Sequence, residues 1–116
     1  MVWMPKMSSS VMSVLEVFLE DPQAVRYGLE LGASTGLASG TIHPVLARLE
    51  GAGWVDSEWE EIDPSTVGRP RRRFYRLTAA GVEQASAALA VVAARRRKLA
   101  RRLGTAPGRS PLPGEV

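Results

Sequence analysis

The sequence has 116 residues, 45% of them hydrophobic and 23% charged, which fits one globular domain with a modest core and leaves too little chain for two. It holds no cysteine and a single histidine, His43, which excludes disulfides, thiol chemistry and zinc sites built from Cys and His. The formal net charge of +3 understates the basicity, because eleven of the fifteen Lys and Arg residues fall in two stretches, Arg69–Arg76 and Arg95–Arg102. Such clustering suits a polyanionic partner, nucleic acid first and an acidic membrane surface second. Met1–Met7 carries one lysine and no continuous apolar run, so no secretory signal is expected. No segment approaches the roughly 20 apolar residues of a membrane span, and a cytoplasmic location is expected.

Ser8–Ser10 offers capping oxygens before an apolar run with helical spacing, Val11, Val14, Leu15, Phe18 and Leu19, and Glu20-Asp21-Pro22 ends that helix. A second helix is expected from about Ala24 to Ser34, with Val25, Leu29 and Tyr27 facing inward. Gly28 and Gly32 make it weak in isolation, so it depends on packing. Gly36-Leu37-Ala38 is a short turn. A third helix follows in Ser39–Ala52, with Ile42, Val45, Leu46 and Leu49 as its buried stripe and Thr41, His43, Ala47 and Arg48 outside. Pro44 favours a start at Thr41, where its missing N–H is harmless, or an irregular first turn.

Val55–Glu60 alternates as a strand does, with Val55, Ser57 and Trp59 on one face and Asp56, Glu58 and Glu60 on the other. A turn-rich loop runs from Asp63 to Gly68, and Arg71–Leu77 returns as a second strand with Tyr75 and Leu77 sharing a face. Thr78 caps a last helix that extends to Leu103. Its apolar residues Val82, Ala85, Leu89, Val92, Leu99 and Leu103 recur every three or four positions, interrupted only by Arg96. That seam is too long for a small core to absorb, so a helix from a second subunit is its expected cover. Gly104–Val116 is rich in Pro and Gly and reads as a flexible tail.

The predicted fold is therefore mainly α with a small β-hairpin: a winged helix-turn-helix over residues 8–77, a long C-terminal dimerisation helix over 78–103, and a tail over 104–116. One α-helix fits the major groove of B-DNA, where base edges distinguish all four base pairs. The third helix has the shape for this, with Ser39, Thr41 and His43 as groove candidates and Arg48 placed for the backbone or an acidic partner within the chain. Ser39 and Thr41 serve equally well as plain helix caps. At the hairpin tip, Gly68-Arg69-Pro70-Arg71 sets two arginines around a proline, and arginine suits the narrow minor groove of A·T-rich DNA. Asp56, Glu58, Glu60, Glu61 and Asp63 balance Arg69, Arg71, Arg72, Arg73 and Arg76, so the hairpin carries no net charge. On that count Arg72 and Arg76 sit against the acidic strand, and Arg69 and Arg71 are assigned to DNA. The cluster Arg95-Arg96-Arg97-Lys98 with Arg101-Arg102 suits the negative end of a helix dipole, with phosphate contact as the second reading and membrane binding the third.

Two blocks carry a family resemblance. Ser39-Gly40-Thr41-Ile42-His43-Pro44-Val45-Leu46-Ala47-Arg48-Leu49-Glu50 with Gly53-Trp54-Val55 resembles the recognition helix and exit of PadR-family transcriptional regulators. Gly68-Arg69-Pro70-Arg71-Arg72-Arg73-Phe74-Tyr75-Arg76-Leu77-Thr78-Ala79-Ala80-Gly81 resembles that family's wing and the start of its next helix, and Tyr27-Gly28-Leu29-Glu30-Leu31 is similar to the opening of its second helix. The likeness spans roughly Val11 to Leu89 and belongs to the compact branch with one helix after the wing.

The resemblance implies a homodimeric repressor on a palindromic operator, with third helices in successive major grooves about 10 bp apart and wings in flanking minor groove. Val82, Ala85, Leu89, Val92 and Leu99 would then dimerise against the partner's first helix. The family commonly has tyrosine at the position of His43. Some relatives bind flat aromatic effectors at the dimer interface through an aromatic on the last helix. Val82–Leu103 has none, so a small aromatic effector is unsupported there, and an aromatic contribution would fall to Trp3. No cofactor or catalytic residue is expected, since the chain lacks a phosphate-binding loop with lysine and has one histidine. The alternative is a winged-helix protein-interaction adaptor that does not bind DNA specifically, a reading that the charge-balanced wing keeps open.

Overall fold

The computed structural model describes residues 5–104; Trp3 and the tail beyond Gly104 lie outside them. Eight elements follow in order: α1 (Ser9–Glu20), β1 (Arg26–Tyr27), α2 (Gly28–Thr35), α3 (Ser39–Gly51), β2 (Val55–Trp59), α4 (Pro64–Val67), β3 (Arg73–Leu77) and α5 (Ala79–Arg102). The chain divides into two compact units, one ending at Ser86 and the other starting at Ala87. The division falls within α5, whose first turns belong with the winged domain rather than with the remainder of the helix.

In the first unit α1 starts where the Ser8 hydroxyl accepts from the Val11 N–H at 3.3 Å, and its buried residues Val11, Met12, Val14, Leu15, Val17 and Phe18 are those an amphipathic helix places inward. α3 contributes Ile42, Val45, Leu46 and Leu49, the stripe expected from spacing. Trp54 and Val55 complete the core from the exit of α3, with Tyr75 and Leu77 on the inner face of β3.

The second helix corrects the sequence reading. Arg26 and Tyr27 form a strand that pairs with Tyr75 and Phe74, so the sheet has three antiparallel strands in the order β1-β3-β2 rather than two. α2 therefore begins at Gly28, four residues later than the periodicity suggests. The Tyr27 N–H donates to the Glu30 side chain at 3.2 Å, which fixes that start. The changed phase turns Leu31 into the core and leaves Leu29 84% and Val25 43% exposed, opposite to the inward placement expected for both. Tyr27 is half-buried through the edge of its ring against Phe74, 5.0 Å between centroids. Gly36 closes α2 at a φ of 75°, a left-handed conformation that glycine adopts without strain.

The third helix begins at Ser39, earlier than the favoured start at Thr41, with Ala38 in the cap position. The Ala38 carbonyl accepts from both Thr41 and Ile42 N–H groups at 2.9 and 3.0 Å, a shared bond of the kind common at helix ends. Pro44 thus lies inside the helix, where it withholds the N–H that the Gly40 carbonyl would otherwise receive. β2 and β3 form the hairpin in the register Val55↔Leu77 to Trp59↔Arg73. Its loop is more ordered than a turn-rich reading implies. Asp63 accepts from the Ser65 N–H at 3.0 Å and caps the one-turn α4, which Gly68 ends.

The second unit contains the continuation of α5, with Arg101 and Arg102 in its last turn and Gly104 beyond it at a φ of 77°. No helix among the described residues is long and apolar enough to cross a membrane.

Candidate nucleic-acid interface

At roughly 100° per residue, the buried stripe of α3 fixes where its other side chains point. Gly40, Pro44 and Ala47 fall opposite the core. Ser39 and His43, one turn apart, form one shoulder of that surface, and Thr41 and Arg48, two turns apart, form the other. Ser39, His43 and Arg48 are exposed and Thr41 is half-exposed. Neither hydroxyl caps the helix, because the cap position is Ala38. Among the described residues Arg48 has no ion-pair partner. The exposed side of α3 is thus a low midline flanked by polar groups. His43 also lies close to α2, its Cε1 3.4 Å from where a Cβ on Gly28 would stand, and with Ser39 it borders a cleft of about 390 Å³ whose other walls include Leu29 and Leu37.

The hairpin distributes its arginines differently from the sequence expectation. Arg69, assigned to DNA, donates through Nη1 and Nη2 to the two Glu60 carboxylate oxygens at 2.7 and 2.9 Å. Such two-pronged pairs are the strongest of the charge-assisted bonds. Arg71 donates through Nε to the Ile62 carbonyl at 2.9 Å, and its side chain is exposed at the tip. Arg72 lays its guanidinium 5.4 Å from the centre of the Tyr27 ring, a cation–π contact, rather than on the acidic strand. Arg76, as expected, faces that strand and lies 3.9 Å from Glu58.

Arg73 stacks 5.1 Å from the centre of the Trp59 ring, donates to the Ser57 hydroxyl at 3.0 Å and lies 3.7 Å from Glu50 on α3. Ser57 in turn donates to Glu50 at 2.6 Å, so this cluster ties the hairpin to the third helix. Sequence reasoning gave Glu50 no role and named Glu60 only among five acids balancing the wing. Pairing across the register could suggest a partner for each acid, but not that Glu60 takes the arginine nearest the tip.

Electrostatics follow the same contacts. The Arg69 guanidinium, helped by the Arg72 amide, holds the Glu60 carboxyl down to about 2. Hydrogen bonds from Ser65 and Thr66 lower that of Asp63. Along α5, Val82 is half-buried and Ala85 fully buried within the winged unit, so Ala85 packs in its own chain's core instead of on a seam for a partner. In the second unit Leu89 and Val92 are half-buried, while Leu99 is 55% and Leu103 71% exposed.

Three helices, a sheet-borne hairpin and a low-profiled exposed third helix define a winged helix-turn-helix protein. The chain belongs to the PadR-like family of transcriptional regulators, whose model matches residues 19–87, more than half of its length. The family is one of regulators and not of enzymes. A PadR-family regulator from Eggerthella lenta DSM 2243 is 21% identical over 82% of this chain and 85% of that one, with a TM-score of 0.66. AbfR in its disulfide form is 28% identical over 75% of this chain, with a TM-score of 0.60, and overoxidized AbfR bound to DNA is 26% identical over 76%, with a TM-score of 0.61. The chain spans 54% and 59% of the length of those two AbfR chains. No curated protein matches the sequence.

Proposed function

We propose that the chain is a sequence-specific DNA-binding regulator, acting as a homodimeric repressor on a palindromic operator. The observation that carries this reading is the exposed side of α3: Gly40, Pro44 and Ala47 let the helix enter a major groove deeply, while Ser39 and His43 on one shoulder and Thr41 and Arg48 on the other meet base edges or phosphates. The similarity to AbfR, solved on DNA, supports the same use of the fold. In this scheme residues 8–77 read DNA, residues 78–103 dimerise through Leu89, Val92 and Leu99, and Arg71 reaches flanking minor groove.

Selection of bound duplexes from a random library tests both parts together. A two-fold symmetric consensus is expected, with binding weakened by salt in proportion to the phosphates neutralised. Binding with no preference over random competitor at low salt would overturn the reading.

The charge-balanced wing favours a second reading, a winged-helix adaptor that binds protein and not DNA, because Arg69 and Arg73 already pair with carboxylates of the chain itself. A stable heteromeric complex without DNA protection would decide for it.

A further inference from the structure

We infer that Glu60 is a positioning residue of the wing: it holds Arg69 away from nucleic acid and ties the loop ends so that Arg71 alone is presented at the tip. This rests on the reading of the chain as a DNA-binding protein. Four hydrogen bonds meet at residue 60. Its carboxylate receives both prongs of Arg69 at 2.7 and 2.9 Å and the Arg72 N–H at 3.2 Å, while its own N–H donates to the Arg72 carbonyl at 2.8 Å. Arg69 also donates from Nη1 to the Pro70 carbonyl at 3.2 Å, so both hydrogens of Nη1 and one of Nη2 are engaged within the wing. Between the two clamped positions Pro70 fixes the backbone, and Arg71 spends only its Nε, on the Ile62 carbonyl. Among the described residues the terminal nitrogens of Arg71 have no partner.

Comparison with the other wing pairs separates structure from surface decoration. Glu60 is 13% and Arg69 33% exposed, at 2.7 Å; Arg76 and Glu58 are 51% and 68% exposed, at 3.9 Å. Long, exposed pairs of the second kind contribute little and re-form freely. Releasing Arg69 to a phosphate would instead exchange one anion for another and leave the shielded Glu60 carboxylate unpaired beside a polyanion. The clamp is therefore kept on the nucleic acid, and Arg69 works through the loop it shapes.

Salt dependence of binding to the selected duplex distinguishes the roles. Arg71→Ala should lower the slope of log affinity against log salt by about 0.9, the value for one phosphate lost, or reduce preference for A·T-rich flanks if it reads the minor groove. Arg69→Ala should weaken binding several-fold with the slope unchanged, and Arg69→Lys, which keeps the charge but loses the fork, should not restore it. Glu60→Ala should also weaken binding, although it makes the protein more cationic. A slope that falls in Arg69→Ala, or tighter binding by Glu60→Ala, overturns the assignment while the DNA reading stands. Absence of saturable binding by the wild type overturns both.

Discussion

A Cβ placed on Gly81 would lie 1.9 Å from the carbonyl oxygen of Trp54. The first turn of α5 thus rests directly on the backbone that leaves α3, and only a residue without a side chain permits it. The same carbonyl accepts from the Thr78 N–H at 2.9 Å, so the contact also ends the β3 ladder. Neither backbone can yield cheaply. Gly81→Ala is expected to destabilise the protein by at least the ~1–3 kcal/mol typical of overpacking, and urea unfolding of the variant measures it. Unchanged stability would mean that α5 shifts freely.

Thr78 secures the same junction from the other side. Its hydroxyl accepts from the Gly81 N–H at 2.9 Å and donates to the Gly53 carbonyl at 2.8 Å. Thr78→Ala should cost about 1 kcal/mol, the usual value for a lost N-cap oxygen, and somewhat more for the orphaned carbonyl. Thr78→Ser, which keeps the oxygen, should restore most of it. Equal losses in both variants would assign the effect to the methyl group.

Much of this junction was legible in advance, because capping and burial are local. The cap at Thr78, the stripe Ile42, Val45, Leu46 and Leu49 and the shared face of Tyr75 and Leu77 are set by neighbours a few residues away. The start of α2 was not. Its phase is decided by the pairing of Arg26 and Tyr27 with Tyr75 and Phe74, nearly fifty residues distant, and a two-residue strand has no periodicity to read. The pairing of Arg69 with Glu60 was hidden for a related reason: five acids facing five bases fix the net charge of the hairpin and leave the partners open. The span of α3 from Ser39 was expected but its cap was not, because Ala38, which has no capping group, holds the first turn with its backbone alone.

The Glu60 clamp predicts a pH dependence with a definite sign. Its carboxyl sits at about 2 in the folded protein against an ordinary value of 4.5, chiefly through Arg69. A carboxyl whose pKa is depressed by folding stabilises the folded form above its ordinary pKa, and that contribution is lost as pH falls through the folded value. Wing stability should therefore be full above about pH 4.5 and decline toward about pH 2, with Asp63 acting in the same direction. The Arg72 amide resonance, bonded to Glu60, should report the transition, and Glu60→Gln should remove it. A midpoint for that amide at the ordinary carboxyl value would show the clamp open in solution.

The proposed dimerisation through α5 gives a prediction about mass. Leu99 is 55% exposed, and a charge there disturbs nothing inside the protomer. Leu99→Asp should shift sedimentation from dimer to monomer at micromolar concentration, since an unpaired charge in an apolar interface is costly. Ala85→Asp should instead unfold the chain, because Ala85 is fully buried within it. A dimer that survives Leu99→Asp would place the interface elsewhere.

Ala47 offers the most selective test of the third helix. It is exposed on the midline opposite the core, between the Ser39–His43 and Thr41–Arg48 shoulders, where the fold asks nothing of its side chain. Ala47→Glu should leave the unfolding free energy within about 0.5 kcal/mol of wild type, as surface changes do. In a major groove the same substitution adds bulk at the closest approach and sets a carboxylate beside phosphates, with both effects opposing binding. Specific binding should be lost, while Ala47→Ser, small and neutral, should retain it. If Ala47→Glu binds the selected duplex as the wild type does, α3 is not the helix that enters the groove.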